Sequence, residues 1–301
     1  MRKFQILFDE AGPSAVEHPV LEPYGNLSFP AMQAKRPWIY ANFVQSMDGI
    51  ASFKGKHASG GDIAQSMEDK WLMNVLRAHA DAILLGMNTL VEETHNLPML
   101  NGGRGPVYRT EGEELRDLRK RLGKAREKVI FATSSATIDP AAYKIFDGDE
   151  VDAFILTTAS GADKLSGKHV RTLVSGSHST VNLPAAMEML RQNLGIKLLL
   201  CEGGPTLYGN MARAGLIDEK FVTVSPMEAG LLVPPEQEPA EQEKRNPPRS
   251  RPTTFTAIGF TSENFPWWRW MSCRRVGSHQ FNRYRRERTV EENARGVNPR
   301  Q

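Results

Sequence analysis

Apolar and polar positions alternate along this chain in segments of two kinds. Short runs rich in branched and aromatic residues read as strands: Trp38–Val44 (WIYANFV), Ala82–Leu85, Val129–Thr133, Ala153–Thr158, Val170–Val174, Ile196–Cys201 and Phe221–Val224. Thr253–Phe260 and two strands within 268–285 complete the set. Helical periodicity falls between them. Trp71, Leu72, Val75, Leu76 and His79 form one face of a helix that Ser66 and Asp69 open as a capping box. Thr89–Glu93 starts another helix, and alternating charge over 111–127 predicts an exposed one. Asn182 caps a helix over 184–194, with Gly195 just past its end, and a last helix spans about 206–214 before Gly215.

Strands alternating with helices predict an α/β fold with a mostly parallel central sheet flanked by helices. The final strands lack helices between them and predict a C-terminal antiparallel hairpin at one edge, with Trp268, Trp270 and Phe281 inward and arginines outward. Prolines at 13, 19, 23, 30 and 37 make 9–37 irregular, so residues 1–35 form an irregular N-terminal segment. A single domain then covers 36–285, carries a proline-rich charged loop at 234–252, and gives way to a flexible tail over 286–301.

Composition narrows the function classes. The hydrophobic share of 40% over 301 residues supports a sizeable core. A net charge of +3 is too balanced for a chain-wide polyanion binder, so no nucleic-acid partner is expected. The basic, aromatic stretch 265–288 reads as a hairpin rather than a single-strand platform. No apolar run reaches the roughly 18 residues of a membrane span, and the N-terminus does not read as a signal peptide. Two cysteines make neither a disulfide framework nor a zinc site, and a cytoplasmic location is expected. The seven histidines show no metal spacing.

Chemistry concentrates where strands meet glycines. In IKLLLCEGGPTLYG, a buried strand runs into Gly203 and Gly204, and Pro205 opens a helix. Amides at that helix start, with Thr206, form either an anion site for a phosphate or a tight turn without a ligand. Gly86 and Thr89 make a second strand–glycine–helix junction. Ser46 and Asp48 follow the first strong strand and either face a ligand or close a local turn. Glu202 is a ligand contact or a solvated strand end, Arg77 complements a helix C-terminus, and Cys201 reads as core.

Three blocks in order, RPWIYANFVQSMDG, LRAHADAILLGMNTLVEE and LLLCEGGPTLYGNMARAGLIDEKFVTVSP, resemble the reductase domain of riboflavin biosynthesis. That domain is the C-terminal half of the bacterial bifunctional deaminase–reductase and also occurs free-standing. No deaminase motif accompanies it here, so the likeness is to the free-standing form. The resemblance implies a dihydrofolate-reductase-like fold, a homodimer and NADPH. It implies reduction of the ribosyl group of a ribosylamino-pyrimidine phosphate, with hydride delivered to the sugar C1′. The same fold also serves reductases of pterins or other carbonyl and imine compounds, and an NADP-binding protein without turnover is a further alternative. Carried over by residue, Gly203, Gly204, Pro205, Thr206, Leu207, Tyr208 and Gly209 hold the cofactor pyrophosphate, and Val44, Gly86 and Thr89 also touch the cofactor. Ser134 and Ser135 receive the 2′-phosphate. Ser46, Arg77 and Glu202 bind the substrate, with Asp48 and Glu202 at the reaction centre. The family pattern has two acids and a proline where this chain reads Glu92-Glu93-Thr94-His95-Asn96.

Overall fold

The computed structural model describes residues 1–30, 34–51, 60–177, 179–229 and 267–287. The strand expected over 253–260, the loop 234–252 and residues 288–301 of the expected tail lie outside them, whereas Arg286 and Glu287, placed in that tail by the sequence, belong to the last strand and pair with Trp268 and Trp267.

Among the described residues, seven strands run parallel: β2 (Trp38–Gln45), β3 (Ala82–Gly86), β4 (Lys128–Ala132), β5 (Asp152–Thr157), β6 (Arg171–Val174), β7 (Leu198–Cys201) and β8 (Glu219–Val224). Three more continue the sheet antiparallel: β1 (Gln5–Asp9), β9 (Trp267–Val276) and β10 (His279–Glu287). The spatial order is β1-β9-β10-β8-β2-β7-β3-β4-β5-β6. From β2 the chain winds outward through β3 to β6. It then returns to insert β7 between β2 and β3, and places β8 on the far side of β2. The reversal occurs at β2, β7 and β3, and ligands of open α/β sheets bind beyond the carboxyl ends of strands at such a point.

Helices cover both faces. They are α1 (Gly60–Ala64), α2 (Met67–His79), α3 (Met87–Asn96), α4 (Glu113–Arg121), α5 (Ala159–Leu165), α6 (Leu183–Asn193) and α7 (Pro205–Arg213). Strand alternation divides the core between them. Tyr40, Ile83, Leu85, Leu198 and Leu200 share one apolar cluster with residues of α2, α3 and α4. Ile39, Ala41, Leu84, Leu199 and Cys201 share the other with α6 and α7. This two-sided burial explains why the parallel strands read as continuous apolar runs.

The helix starts follow the sequence closely. Ser66 Oγ accepts from Asp69 N at 3.2 Å and Asn182 Oδ1 from Ala185 N at 3.2 Å. Gly195 and Gly215, at φ +64° and +66°, occupy left-handed positions just beyond α6 and α7.

Three expectations need correction. The helix placed over 111–127 is shorter, and α4 is not simply exposed. Leu115 and Leu118, three apart, are buried with α2, and Arg119 reaches over to donate to the carbonyl of Ala80 at 2.6 Å. Arg119, rather than Arg77, thus complements the C-terminus of α2. The N-terminal segment is not irregular throughout, because Gln5–Asp9 forms β1 on β9. Finally, the hairpin is only partly arranged with tryptophans in and arginines out. Phe281 is buried and Trp268 packs half-buried against the α6–α7 cluster, but Trp270 is 47% exposed, whereas Arg274 and Arg283 are fully buried. Arg274 donates to Asp9 Oδ2 at 2.6 Å, to the Tyr24 carbonyl at 2.7 Å and to Ser272 Oγ at 2.8 Å. Arg283 pairs with Glu219 at 2.9 Å and donates to the Ser28 carbonyl. Carbonyls of the N-terminal segment and the Asp9 and Glu219 carboxylates hold both guanidiniums, although Arg283 Nε has no hydrogen-bond partner among the described residues, and these bonds fasten the N-terminal segment to the sheet.

Candidate active site

The predicted site residues fall along one line, at the carboxyl ends of the adjacent strands β2, β7, β3 and β4. Ser46 and Asp48 follow β2, Glu202 to Gly204 follow β7, and Gly86 and Thr89 follow β3. Ser134 and Ser135 follow β4, one strand farther out.

Alternation aims the acid. Cys201 faces α6 and α7, so Glu202 faces α2. There Arg77 meets it in a two-pronged pair, Nε to Oε1 at 2.8 Å and Nη2 to Oε2 at 2.7 Å. Both side chains are about nine-tenths buried. Arg77 is therefore not a surface helix-end charge, and Glu202 is not a solvated strand end. Burial pushes the Cys201 thiol up to about 12, which keeps it protonated and inert.

Two further groups join this pair. Tyr108 packs its ring beside the Arg77 guanidinium, 5.8 Å from Cζ to centroid. Its hydroxyl donates to Glu93 Oε2 at 2.5 Å. Burial raises the Glu93 carboxyl above its ordinary value, against the lowering effects of the Tyr108 hydrogen bond and Arg77. Burial also raises the Tyr108 phenol well above its ordinary value, so it stays a proton donor. Glu93 stands four residues after Thr89 on α3, on the same helix face, and that spacing is the sequence signal that places it. Tyr108 sits in an irregular loop and has no comparable signal.

The glycines divide in role. A Cβ on Gly203 would lie 2.7 Å from Gly86 N, 2.9 Å from Leu85 Cα and 2.6 Å from Leu207 Cδ2. Gly203 is bare so that β7 can pack against the end of β3, which corrects the expectation that both glycines admit a ligand. A Cβ on Gly204 would meet Thr89 Oγ1 at 3.2 Å. Thr89 Oγ1 in turn accepts from Gly204 N at 3.3 Å. The starts of α3 and α7 therefore touch. Both helices begin at a glycine with no side-chain cap, as α4 also does at Gly112, whereas α2, α5 and α6 are capped by Ser66, Thr158 and Asn182; what sets α3 and α7 apart is that their starts meet. Two helix starts side by side, each without a competing side-chain cap, fit a dinucleotide's bridging phosphates. Of the α7 residues, Thr206 is exposed at this end, while Leu207, Tyr208 and Gly209 are buried and reach the site only through their main chain. Tyr208 packs its ring on Phe43 at 4.6 Å.

The remaining predicted residues lie at the flanks. Val44 is half-buried on β2. Ser46 Oγ donates to Asp48 Oδ1 at 2.5 Å and accepts from Ile50 N at 2.9 Å, and Asp48 Oδ1 also accepts from Ala229 N at 3.1 Å. Asp48 thus holds its own turn together while remaining exposed at the strand end. Ser134 and Ser135 are exposed, and Lys164 of α5 donates to the Ser135 carbonyl at 3.0 Å, adding a cation that the sequence pattern did not single out. Among the described residues, no group of three His, Cys, Asp or Glu could hold a metal, and no helix is long and apolar enough to cross a membrane. A separate cavity of about 290 Å³, lined by Arg104, Asp139, Phe146, Lys168 and His169 among others, has none of these residues in its lining.

Comparison with known proteins finds reductases among the relatives of this chain. Two relatives are named 2,5-diamino-6-ribosylamino-4(3H)-pyrimidinone 5′-phosphate reductase. The one from Archaeoglobus fulgidus is 24% identical over 196 residues, covering 65% of this chain and 83% of its own. The one from Methanothermobacter thermautotrophicus is 25% identical over 198 residues, covering 65% and 80%. A pyrimidine reductase-like protein from Corynebacterium diphtheriae superposes with a TM-score of 0.62 at 21% identity, covering 84% of this chain and 93% of its own. The dihydrofolate-reductase-like architecture is therefore borne out. Reduction of this kind calls for a nicotinamide cofactor. Residues 37–259 match the RibD C-terminal domain, and the chain belongs to that family.

Proposed function

We propose that the chain is an NADPH-dependent reductase that converts the ribosyl group of a ribosylamino-pyrimidine phosphate to a ribityl group by hydride transfer to C1′. The observation that carries this reading is the meeting of two glycine-started helices, α3 and α7, beside the buried Arg77–Glu202 pair. Gly86, Thr89, Gly204, Pro205 and Thr206 would hold the cofactor's bridging phosphates, and the main chain of Gly203 and of 207–209 shapes that cradle. Ser134 and Ser135, with Lys164 beside them, would take the 2′-phosphate that separates NADPH from NADH. When bound, the nicotinamide supplies a hydride.

The chain's own residues do the rest. Opening the sugar ring places a cationic, imine-like carbon at C1′, and anionic side chains stabilise it more than the uncharged starting sugar. Asp48, Glu202 and Glu93 supply that field from β2, β7 and α3. Arg77 aims Glu202 through its two-pronged pair, and Ser46 fixes Asp48. A homodimer accompanies this reading and is checked by sedimentation at working concentration.

Purified protein incubated with NADPH and the diaminated or deaminated substrate should consume the cofactor, with the deaminated-to-diaminated ratio naming the natural one. Turnover of a dihydropterin precursor alone would move the assignment to a pterin reductase. Cofactor binding without turnover of either class would leave a non-catalytic NADP-binding protein.

A further inference from the structure

The loop that delivers Tyr108 carries a backbone cost. Tyr108 has φ +55°, in the left-handed region that a bulky residue rarely enters. Such a conformation persists only where the surroundings over-determine it. Here they do. Gly105, at φ +77°, lies so close to α3 that a Cβ there would overlap Thr94. Asn101 Nδ2 donates to the Gly105 carbonyl at 2.8 Å. On the other side, Thr110 N donates to Glu127 at 3.0 Å and Glu111 N to Asn74 of α2 at 3.1 Å. Between these anchors the Tyr108 ring is buried edge-on against Phe131 of β4, with centroids 5.7 Å apart. The phenol has one place to point, the Glu93 carboxylate.

We propose that Tyr108 is a positioning residue for the reaction centre, its phenol fixing the Glu93 carboxylate beside the Arg77–Glu202 pair. The proposal rests on the reductase reading above, in which Glu93 belongs to that centre. Without the phenol, Glu93 would be a buried carboxylate on a flexible stem facing two like charges, Glu202 and Glu92, and one cation, Arg77. The hydrogen bond offsets part of the burial that disfavours its charge. The electrostatic influences on Glu93 come from α2 (Arg77), α3 (Glu92), β7 (Glu202) and the 104–110 loop (Tyr108).

The test is Tyr108→Phe, which keeps the ring and removes only the hydroxyl. In full-length protein labelled with 13C at Glu side-chain carboxyls, the Glu93 titration, assigned by its loss in Glu93→Gln, should move upward by about one pH unit. The Glu93-dependent limb of the kcat/KM–pH profile should move the same way, with KM nearly unchanged. If Tyr108→Phe folds poorly, Glu93→Gln tests the contact from the other side. Removing the carboxylate charge should bring the Tyr108 phenol titration down, read by ultraviolet difference absorbance against Tyr108→Phe or, where that variant fails, against the parent protein. Unmoved titrations would overturn the positioning role even if the protein turns over substrate. Moved titrations in a protein without turnover would keep the Tyr108–Glu93 coupling and overturn only the reductase reading and the role built on it.

Discussion

Gly203 and Gly204 stand next to each other and do different work. A side chain on Gly203 would strike the backbone of Leu85 and Gly86, so Gly203→Ala should cost about 1–3 kcal/mol of stability through forced strand displacement. Gly204→Val should leave stability closer to the parent, because its Cβ meets only the Thr89 hydroxyl. It should weaken NADPH binding about tenfold or more by filling the space between two helix starts. Denaturant unfolding and nicotinamide fluorescence titration separate the two effects, and a Gly204→Val protein that binds NADPH normally would contradict the cradle. His79 is a second residue with a readable consequence. It is buried, its Nδ1 lies 2.8 Å from the Val75 carbonyl, and burial lowers it from 6.5 to about 4. Its folded form resists protonation, so the stability it contributes is complete above pH 6.5 and is lost as pH falls from 6.5 towards 4. The loss amounts to about 3 kcal/mol, the free-energy equivalent of that shift. Urea midpoints for the parent and His79→Gln across that range should diverge in slope, and parallel slopes would remove His79 as the cause.

At the scale of elements, strands and capped helices were legible because their signals are local. Ile39–Ala41 of β2 and Leu198–Cys201 are buried on both sides and read as apolar runs, while Ser66 and Asn182 mark helix starts by their own chemistry. Strand β1 was hidden because Gln5, Ile6 and Leu7 are exposed and its pairing partner lies some 265 residues away. The buried guanidiniums of Arg274 and Arg283 were illegible for the same reason, since their partners lie far off in the chain, at Asp9, Tyr24 and Ser28 of the N-terminal segment and at Glu219 of β8. Of the candidate site, spacing marked the glycine–helix junctions and Glu202 but left their roles open, and the family resemblance supplied those roles, whereas Tyr108 and Lys164 required the fold to bring a loop and α5 alongside. The α5 lysine gives the element-scale prediction. Lys164→Ala should lower the preference for NADPH over NADH severalfold while leaving NADH affinity unchanged, because one exposed cation near a phosphate contributes about 1 kcal/mol or less. Equal losses for both cofactors would place the 2′-phosphate elsewhere.

Over the whole molecule, chain order explains why the candidate site residues gather at neighbouring strand ends. The return of β7 between β2 and β3 sets three strand ends side by side, each leading directly into a glycine-bearing turn. The antiparallel strands β10, β9 and β1 lie beyond β8, and two of the hairpin's arginines are consumed in ion pairs with Asp9 and Glu219. Those pairs tie the N-terminal segment and β8 to the hairpin. The central claim is that this row of strand ends delivers a hydride to a sugar carbon. Turnover of the ribosylamino-pyrimidine phosphate with cofactor deuterated at the transferable position tests it most directly. The account predicts a ribityl product carrying one deuterium at C1′, formed with NADPH and abolished in Glu202→Ala. An unlabelled product, a label elsewhere, or no product from a protein that binds the cofactor would contradict it.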